Sequence, residues 1–152
     1  MTTLWVGFGN PLRRDDGVGP RAAEMLAAEG LAARAVFQPV PELALELVAV
    51  RRVVFLDADL SSAPGVVTQR RLAPARRPQA GHRLDPPGLL SLAERLGPEC
   101  PEAWLLSIGI LDVGVGEGFS IPVAAGFGEF LARARALALD PPHADHGSTS
   151  SA

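Results

Sequence analysis

Lysine is missing altogether: all fourteen basic residues of the 152-residue chain are arginines. With no lysine there is no Gly-Lys-Ser/Thr, so a P-loop that cradles nucleotide phosphates is excluded. Positive charge is not in excess either. The formal net charge is -3 and the sequence pI is near 5.6. The arginine pairs at 13–14, 51–52, 70–71 and 76–77 are scattered. A nucleic-acid-binding surface concentrates basic residues on one face, so nucleic acid is not an expected partner. Most of these pairs read as solvated charge, although Arg13-Arg14 is placed where it could touch a partner. Cysteine is limited to Cys100, which excludes an internal disulfide and fits a reducing compartment. No apolar run reaches the roughly 18 residues of a membrane span. The opening "MTTLWVGFGN" lacks the basic region and long apolar core of a secretion signal. The expectation is a cytoplasmic domain with no membrane partner.

What the chain does contain is alternation of short apolar runs and amphipathic stretches. "LWVGFG" (4–9) reads as a buried strand stopped by glycine, with "ARAVFQ" (33–38), "RVVFLDADL" (52–60) and "AWLLSIGIL" (103–111) as further strands. "GVVTQRRL" (65–72) alternates more and is more polar, as a strand near a sheet edge would be. Helices are expected after the acidic turn, where Val18, Ala22, Met25 and Leu26 share a face and Gly30 marks the stop. Others are expected over 41–50, over 84–97 with Asp85 as N-cap, and over 120–139. Residues 76–83 and 112–118 read as loops, and 140–152 has the composition of a disordered tail. The whole predicts one α/β domain over 1–139, a three-layer sandwich. Its mostly parallel sheet has about five strands, with helices on both faces. A chain of this size buries roughly 70% of its unfolded surface and needs no covalent staples. In such sheets ligands bind beyond the carboxyl ends of the strands.

Chemistry is concentrated at those ends. "GFGNPLRRDDGVGP" (7–20) begins like a dinucleotide loop, but Leu12 stands where the third glycine of G-x-G-x-x-G belongs. Asp15 and Asp16 would also repel a phosphate at the helix N-terminus, so a cation is the better guest. The plainer alternative is that two carboxylates merely stabilise the following helix. Asp57 and Asp59 close the 52–60 strand, and His82 lies in the loop before the third helix. Carboxylates with an imidazole suit borderline divalent ions such as nickel, zinc or manganese better than a soft cuprous ion. By strand alternation only one of Asp57 and Asp59 is expected to face such a site, with Asp57 preferred and Asp59 left to orient His82. Asn10 is expected to shape the turn.

Other features carry less. His143 and His146 form an H-x-x-H in the tail, without the glutamate and helix of a zinc protease motif. Cys100 sits between prolines with no identifiable histidine partner, and no G-x-S-x-G nucleophile elbow exists. The glycine-rich 112–118 loop reads equally as a bed for an extended substrate tail or as a flexible connection.

Taken together, "GFGNPLRRDDGVGP", "PELALEL", "VVFLDADL" and "GHRLDPPGLLSLAERL" resemble the nickel–iron hydrogenase maturation proteases over about residues 3–138. These endopeptidases remove a C-terminal extension from the hydrogenase large subunit after nickel insertion. The resemblance implies that Asp16, Asp57 and His82 are the metal-binding and catalytic residues. The best-known members carry glutamate where Asp16 stands, and aspartate is one methylene shorter. The wording "GHRLDPPGLL" and "GVGEGFS" is similar to the branch that serves soluble, NAD-linked hydrogenases. Two carboxylates and one imidazole leave open coordination positions but are few for independent tight binding. The implied cofactor is therefore nickel supplied largely by the substrate, and the implied partner is a nickel-loaded large-subunit precursor met by a monomer. The rival readings are a non-catalytic nickel-sensing chaperone for the same precursor and, third, a nucleotide-binding α/β protein.

Overall fold

The computed structural model describes residues 2–76 and 84–139. His82, His143, His146 and the expected tail over 140–152 lie outside them. The described chain forms one five-stranded sheet. Strands β1 (Thr3–Phe8), β2 (Ala33–Val36), β3 (Arg52–Asp59), β4 (Val67–Leu72) and β5 (Glu102–Gly109) are arranged in the order β2-β1-β3-β5-β4. All neighbours run parallel except the edge strand β4, which is antiparallel to β5. The helices are α1 (Val18–Ala28), α2 (Leu43–Leu47), α3 (Pro86–Leu96) and α4 (Ile121–Ala136), with a 3-10 turn at Arg14–Gly17.

Strand alternation divides the core in two. Leu4, Val6, Phe8, Val53 and Phe55 point to the face covered by Leu43 and Leu47 of α2 and by Leu89, Leu90 and Ala93 of α3. Trp5, Val54, Leu56, Leu106 and Ile108 point the other way, onto Val18, Ala22 and Leu26 of α1 and Phe130, Leu131 and Ala134 of α4. The buried Trp5 indole N–H donates to the Ala134 carbonyl at 2.8 Å, so its one polar atom is satisfied. The expected sandwich with helices on both faces is the observed one.

The glycines of the opening stretch serve packing. A side chain on Gly7 would collide with the backbone of Gly19, and one on Gly19 would lie 2.6 Å from the carbonyls of Phe8 and Leu56. The first turn of α1 therefore sits backbone-to-backbone on β1 and β3. Asp85 caps α3 as its sequence indicates, accepting the Gly88 N–H at 2.9 Å ahead of Pro86 and Pro87. Helix α2 is shorter than the expected 41–50. Leu43, Ala44 and Leu47 are all the apolar cover it supplies, and Leu45 faces solvent. No helix among the described residues is long and apolar enough to cross a membrane.

Candidate active site

The chain leaves β1 to build β2 on one side and then returns to build β3 on the other. The crevice between the β1 and β3 exits is thus the switch point of the sheet, where open α/β folds bind ligands. The opening loop leaves β1 through Gly9, whose φ of +146° places it in backbone space closed to side chains. Asn10 then makes the turn: its side-chain oxygen accepts the Leu12 N–H at 2.9 Å and its carbonyl accepts the Arg13 N–H at 3.0 Å. The Asn10 N–H in turn donates to Asp16 Oδ2 at 2.7 Å. That bond holds the Asp16 carboxylate, partly exposed, over the loop it ends.

Asp57 closes β3 with its carboxylate desolvated, and among the described residues its hydrogen-bond support is the Ala58 N–H at 2.9 Å. Burial pushes its pKa up to about 6, and the charges of Asp16 and Asp59 push in the same direction. Asp16 and Asp57 are therefore brought within electrostatic reach of each other from two different strand exits. Asp59 is on the same strand face as Asp57, because residues two apart on a strand share a face. Alternation does not separate these two acids; hydrogen bonding does. Asp59 accepts from the Ser61 N–H and hydroxyl and from the Ser62 hydroxyl at 2.6–2.9 Å, which lowers its pKa. It caps its own turn. Any contact between Asp59 and His82 involves residues outside the described ones. Among the described residues, no group of three or more His, Cys, Asp or Glu side chains is arranged to hold a metal ion.

The two adjacent acids of the opening stretch part company. Asp15 is fully buried. Its Oδ2 accepts from the Leu111 N–H at 3.0 Å, the Asp112 N–H at 2.9 Å and the Ser120 hydroxyl at 2.7 Å, and its Oδ1 accepts the Ser120 N–H at 2.7 Å. Burial alone would raise its pKa, but the bonds from Asp112, Ser120 and Leu111 outweigh it and lower the value. Asp15 thus grips both ends of the loop after β5. The arginines beside it join in: Arg13 Nε donates to the Val113 carbonyl at 2.9 Å and Arg14 Nη1 to the Glu117 carbonyl at 3.1 Å. Backbone bonds between Arg14, Asp15 and Gly116, Asp112 complete the seam. The glycine-rich loop is anchored along its length to the opening motif, and Arg13-Arg14 is not simply solvated charge. Sequence reasoning missed this role of Asp15, because two consecutive acids read as one feature until the turn separates their side chains.

No protein-family model matches the chain, and no curated protein matches it significantly. Solved structures do. The nickel–iron hydrogenase maturation protease HybD from Thermococcus kodakarensis superposes with a TM-score of 0.70 at 25% identity, covering 91% of this chain and 99% of that one. The chain has the fold of the nickel–iron hydrogenase maturation proteases. The endopeptidase HybD from E. coli aligns over 90% of this chain and 91% of its own, at a TM-score of 0.65 and 23% identity. The maturation protease HycI from Thermococcus kodakarensis KOD1 aligns over 88% and 89%, at 0.69 and 18%. Within this maturation-protease fold, Asp16 and Asp57 stand on either side of the switch point.

Proposed function

We propose that this chain is an endopeptidase that removes the C-terminal extension of a nickel–iron hydrogenase large-subunit precursor after nickel has been inserted, completing its maturation. The observation that carries the reading is the Asp16–Asp57 pair. Two carboxylates, one of them desolvated, lie close enough for the charge of Asp16 to raise the pKa of Asp57, and among the described residues each is bonded only to a backbone N–H. A cation brought to the crevice relieves their repulsion. Two carboxylate oxygen donors with the His82 imidazole nitrogen as the third ligand suit a nickel ion that arrives with the precursor.

In this reading Asp16, Asp57 and His82 complete the coordination of that nickel and so fix the scissile bond against the protein, which is catalysis by positioning. Held by Asp16, Asp57 and His82, nickel in the precursor would supply Lewis acidity toward the peptide carbonyl. Asp16 or Asp57 takes the proton of the attacking water. Water oxygen joins the carbonyl carbon, the C–N bond breaks, and the proton passes to the leaving amine. The same reading has the protein act as a monomer in the cytoplasm, with residues 1–139 as the protease domain.

The test is to incubate the protein with the large-subunit precursor from the same source, with and without nickel, and to follow intact mass. Loss of a C-terminal peptide from the nickel-loaded precursor alone, abolished by Asp16→Ala, is the expected result. Cleavage at the wild-type rate by His82→Ala would remove His82 from the site. Binding of a correctly loaded precursor with no mass change would replace the protease by a chaperone.

A further inference from the structure

A groove of about 310 Å³ opens beside the 3-10 turn that carries Asp16, between the opening loop, the first turns of α1 and the end of the loop after β5. Leu12, Pro20 and Phe119 form apolar walls, and Arg14, Arg21 and Glu117 stand at its edges. Gly17, the residue after Asp16, is part of its lining, so the groove lies against the turn that carries Asp16. Leu12 is 61% exposed although it is a large apolar side chain in a loop held on both sides.

Two properties decide what fits. The first is charge. Arg14 is paired with Asp112 at 3.7 Å and Arg21 with Glu24 at 3.8 Å, so the guanidinium groups at the edges already face carboxylates of this chain, and Glu117 adds a further carboxylate. A neutral, largely apolar occupant complements such a groove better than an anion does. The second is the backbone. The N–H groups of Glu117, Gly118 and Phe119 have no partner among the described residues, whereas the Gly114, Gly116 and Ser120 N–H groups around them are bonded to Asp112, Leu12 and Asp15. Three consecutive donors left without a partner among the described residues, beside an apolar wall, suit main-chain carbonyls of an extended polypeptide, with its side chains received by Leu12 and Phe119.

We propose that this groove binds an extended, uncharged segment of the protein substrate next to the scissile bond, and that Leu12 and Phe119 set its specificity. The proposal deepens the protease reading and rests on it for the identity of the substrate. The experiment measures KM and kcat for peptide release from the nickel-loaded precursor, and Kd for the precursor itself, with Leu12→Asp, Phe119→Ala and the control Leu96→Asp. Leu96 is exposed at the end of α3, outside the groove. Leu12→Asp is expected to raise KM and Kd at least tenfold with kcat within twofold, Phe119→Ala to raise them severalfold, and Leu96→Asp to leave both unchanged. Leu12 is solvent-facing, so the variant folds, and an unchanged melting temperature verifies this. Wild-type KM and Kd in both groove variants, with cleavage intact, would overturn the groove and leave the protease standing. Groove-dependent binding without cleavage would sustain the groove and remove the protease. Precursor that binds only after truncation at Leu139 would show the groove to be filled by the chain's own C-terminal residues, which also overturns the proposal.

Discussion

Asp15 and Asp57 are carboxylates at the same end of the same sheet, and their surroundings treat them in opposite ways. Asp15 is buried completely and accepts four hydrogen bonds from Leu111, Asp112 and Ser120, which outweigh the cost of burial and lower its pKa. Asp57 is less buried, accepts one hydrogen bond among the described residues, and is pushed up to about 6 by desolvation and by its acidic neighbours. A satisfied acid holds structure together. An unsatisfied one is tolerated where something else is expected to bind, because strained electrostatics collect at functional sites. Depth of burial therefore does not distinguish the two roles; the supply of donors does.

The largest effect that would sharpen this contrast is on activity. Asp57→Asn keeps the size of the side chain and removes its charge, and is expected to lower peptide release by about a hundredfold or more, the scale of a lost acid–base or positioning group. Intact-mass kinetics on nickel-loaded precursor measure it, and a loss below threefold would show Asp57 to be a bystander. Next comes Asp15→Ala. It strands the Leu111, Asp112 and Ser120 donors and should cost about 3 kcal/mol, since bonds to a charged acceptor are each worth about 1.5–3 kcal/mol and water recovers part of the loss. Urea unfolding reads the change directly. A cost under 1 kcal/mol would mean that the loop after β5 holds without its clamp.

The same Asp57→Asn variant should be more stable than the wild type at pH 7, by about 2 kcal/mol. A shift from 3.8 to about 6 corresponds at roughly 1.4 kcal/mol per unit to about 3 kcal/mol, reduced here for partial exposure. The sign follows from the raised value: the folded state holds the proton more tightly than the unfolded chain. Wild-type stability therefore falls as pH rises from about 4 to about 6 and is level above that. The gain from Asp57→Asn should vanish below pH 4 and reach its plateau above pH 6. Asp15 runs the other way, since its lowered pKa stabilises the fold above the ordinary carboxylate value and that support is lost as acid protonates it. A variant–wild-type difference that is flat across pH 4–6 would break the assignment of opposite roles.

The layout of the sheet was readable from its parts. "VVFL" and "LWVGF" are continuous apolar runs because β3 and β1 are covered on both faces, and polar alternation at 65–72 marked the edge strand correctly. The antiparallel direction of β4 was not readable, because direction depends on the connection and not on the pattern of the strand. The ends of α2 and β2 were overextended for a related reason. Periodicity continues past the residues that the core needs, and Leu45 and Phe37 face solvent. At the site, the strand-end rule gave the crevice, whereas the choice of Asp16 and Asp57 among the acids gathered there came from the family resemblance. Two features did not follow. Gly7 and Gly19 look like phosphate glycines, yet they allow α1 to pack on two strands. Asp15 and Asp16 look like one acidic feature because a string of letters does not show that neighbours in a tight turn point apart.

The smallest expected effect tests whether the grip on the loop after β5 belongs to Asp15 alone. Arg14 also reaches that loop, through the Glu117 carbonyl and an exposed ion pair with Asp112. Its contribution is limited twice over. The ion pair is solvent-screened and worth little. Its backbone sits at φ +46°, in the left-handed region that a side chain disfavours by about 1 kcal/mol. Arg14→Ala loses the side-chain bond and keeps the strain, and should cost about 1 kcal/mol. Arg14→Gly loses the same bond but relieves the strain, and should come within about 0.5 kcal/mol of wild type. Chemical denaturation of the two variants beside Asp15→Ala decides the matter. If Arg14→Ala proved as costly as Asp15→Ala, the clamp would be a shared network, and the contrast between one satisfied acid and one unsatisfied acid would have to be redrawn around the whole Arg13–Asp16 turn.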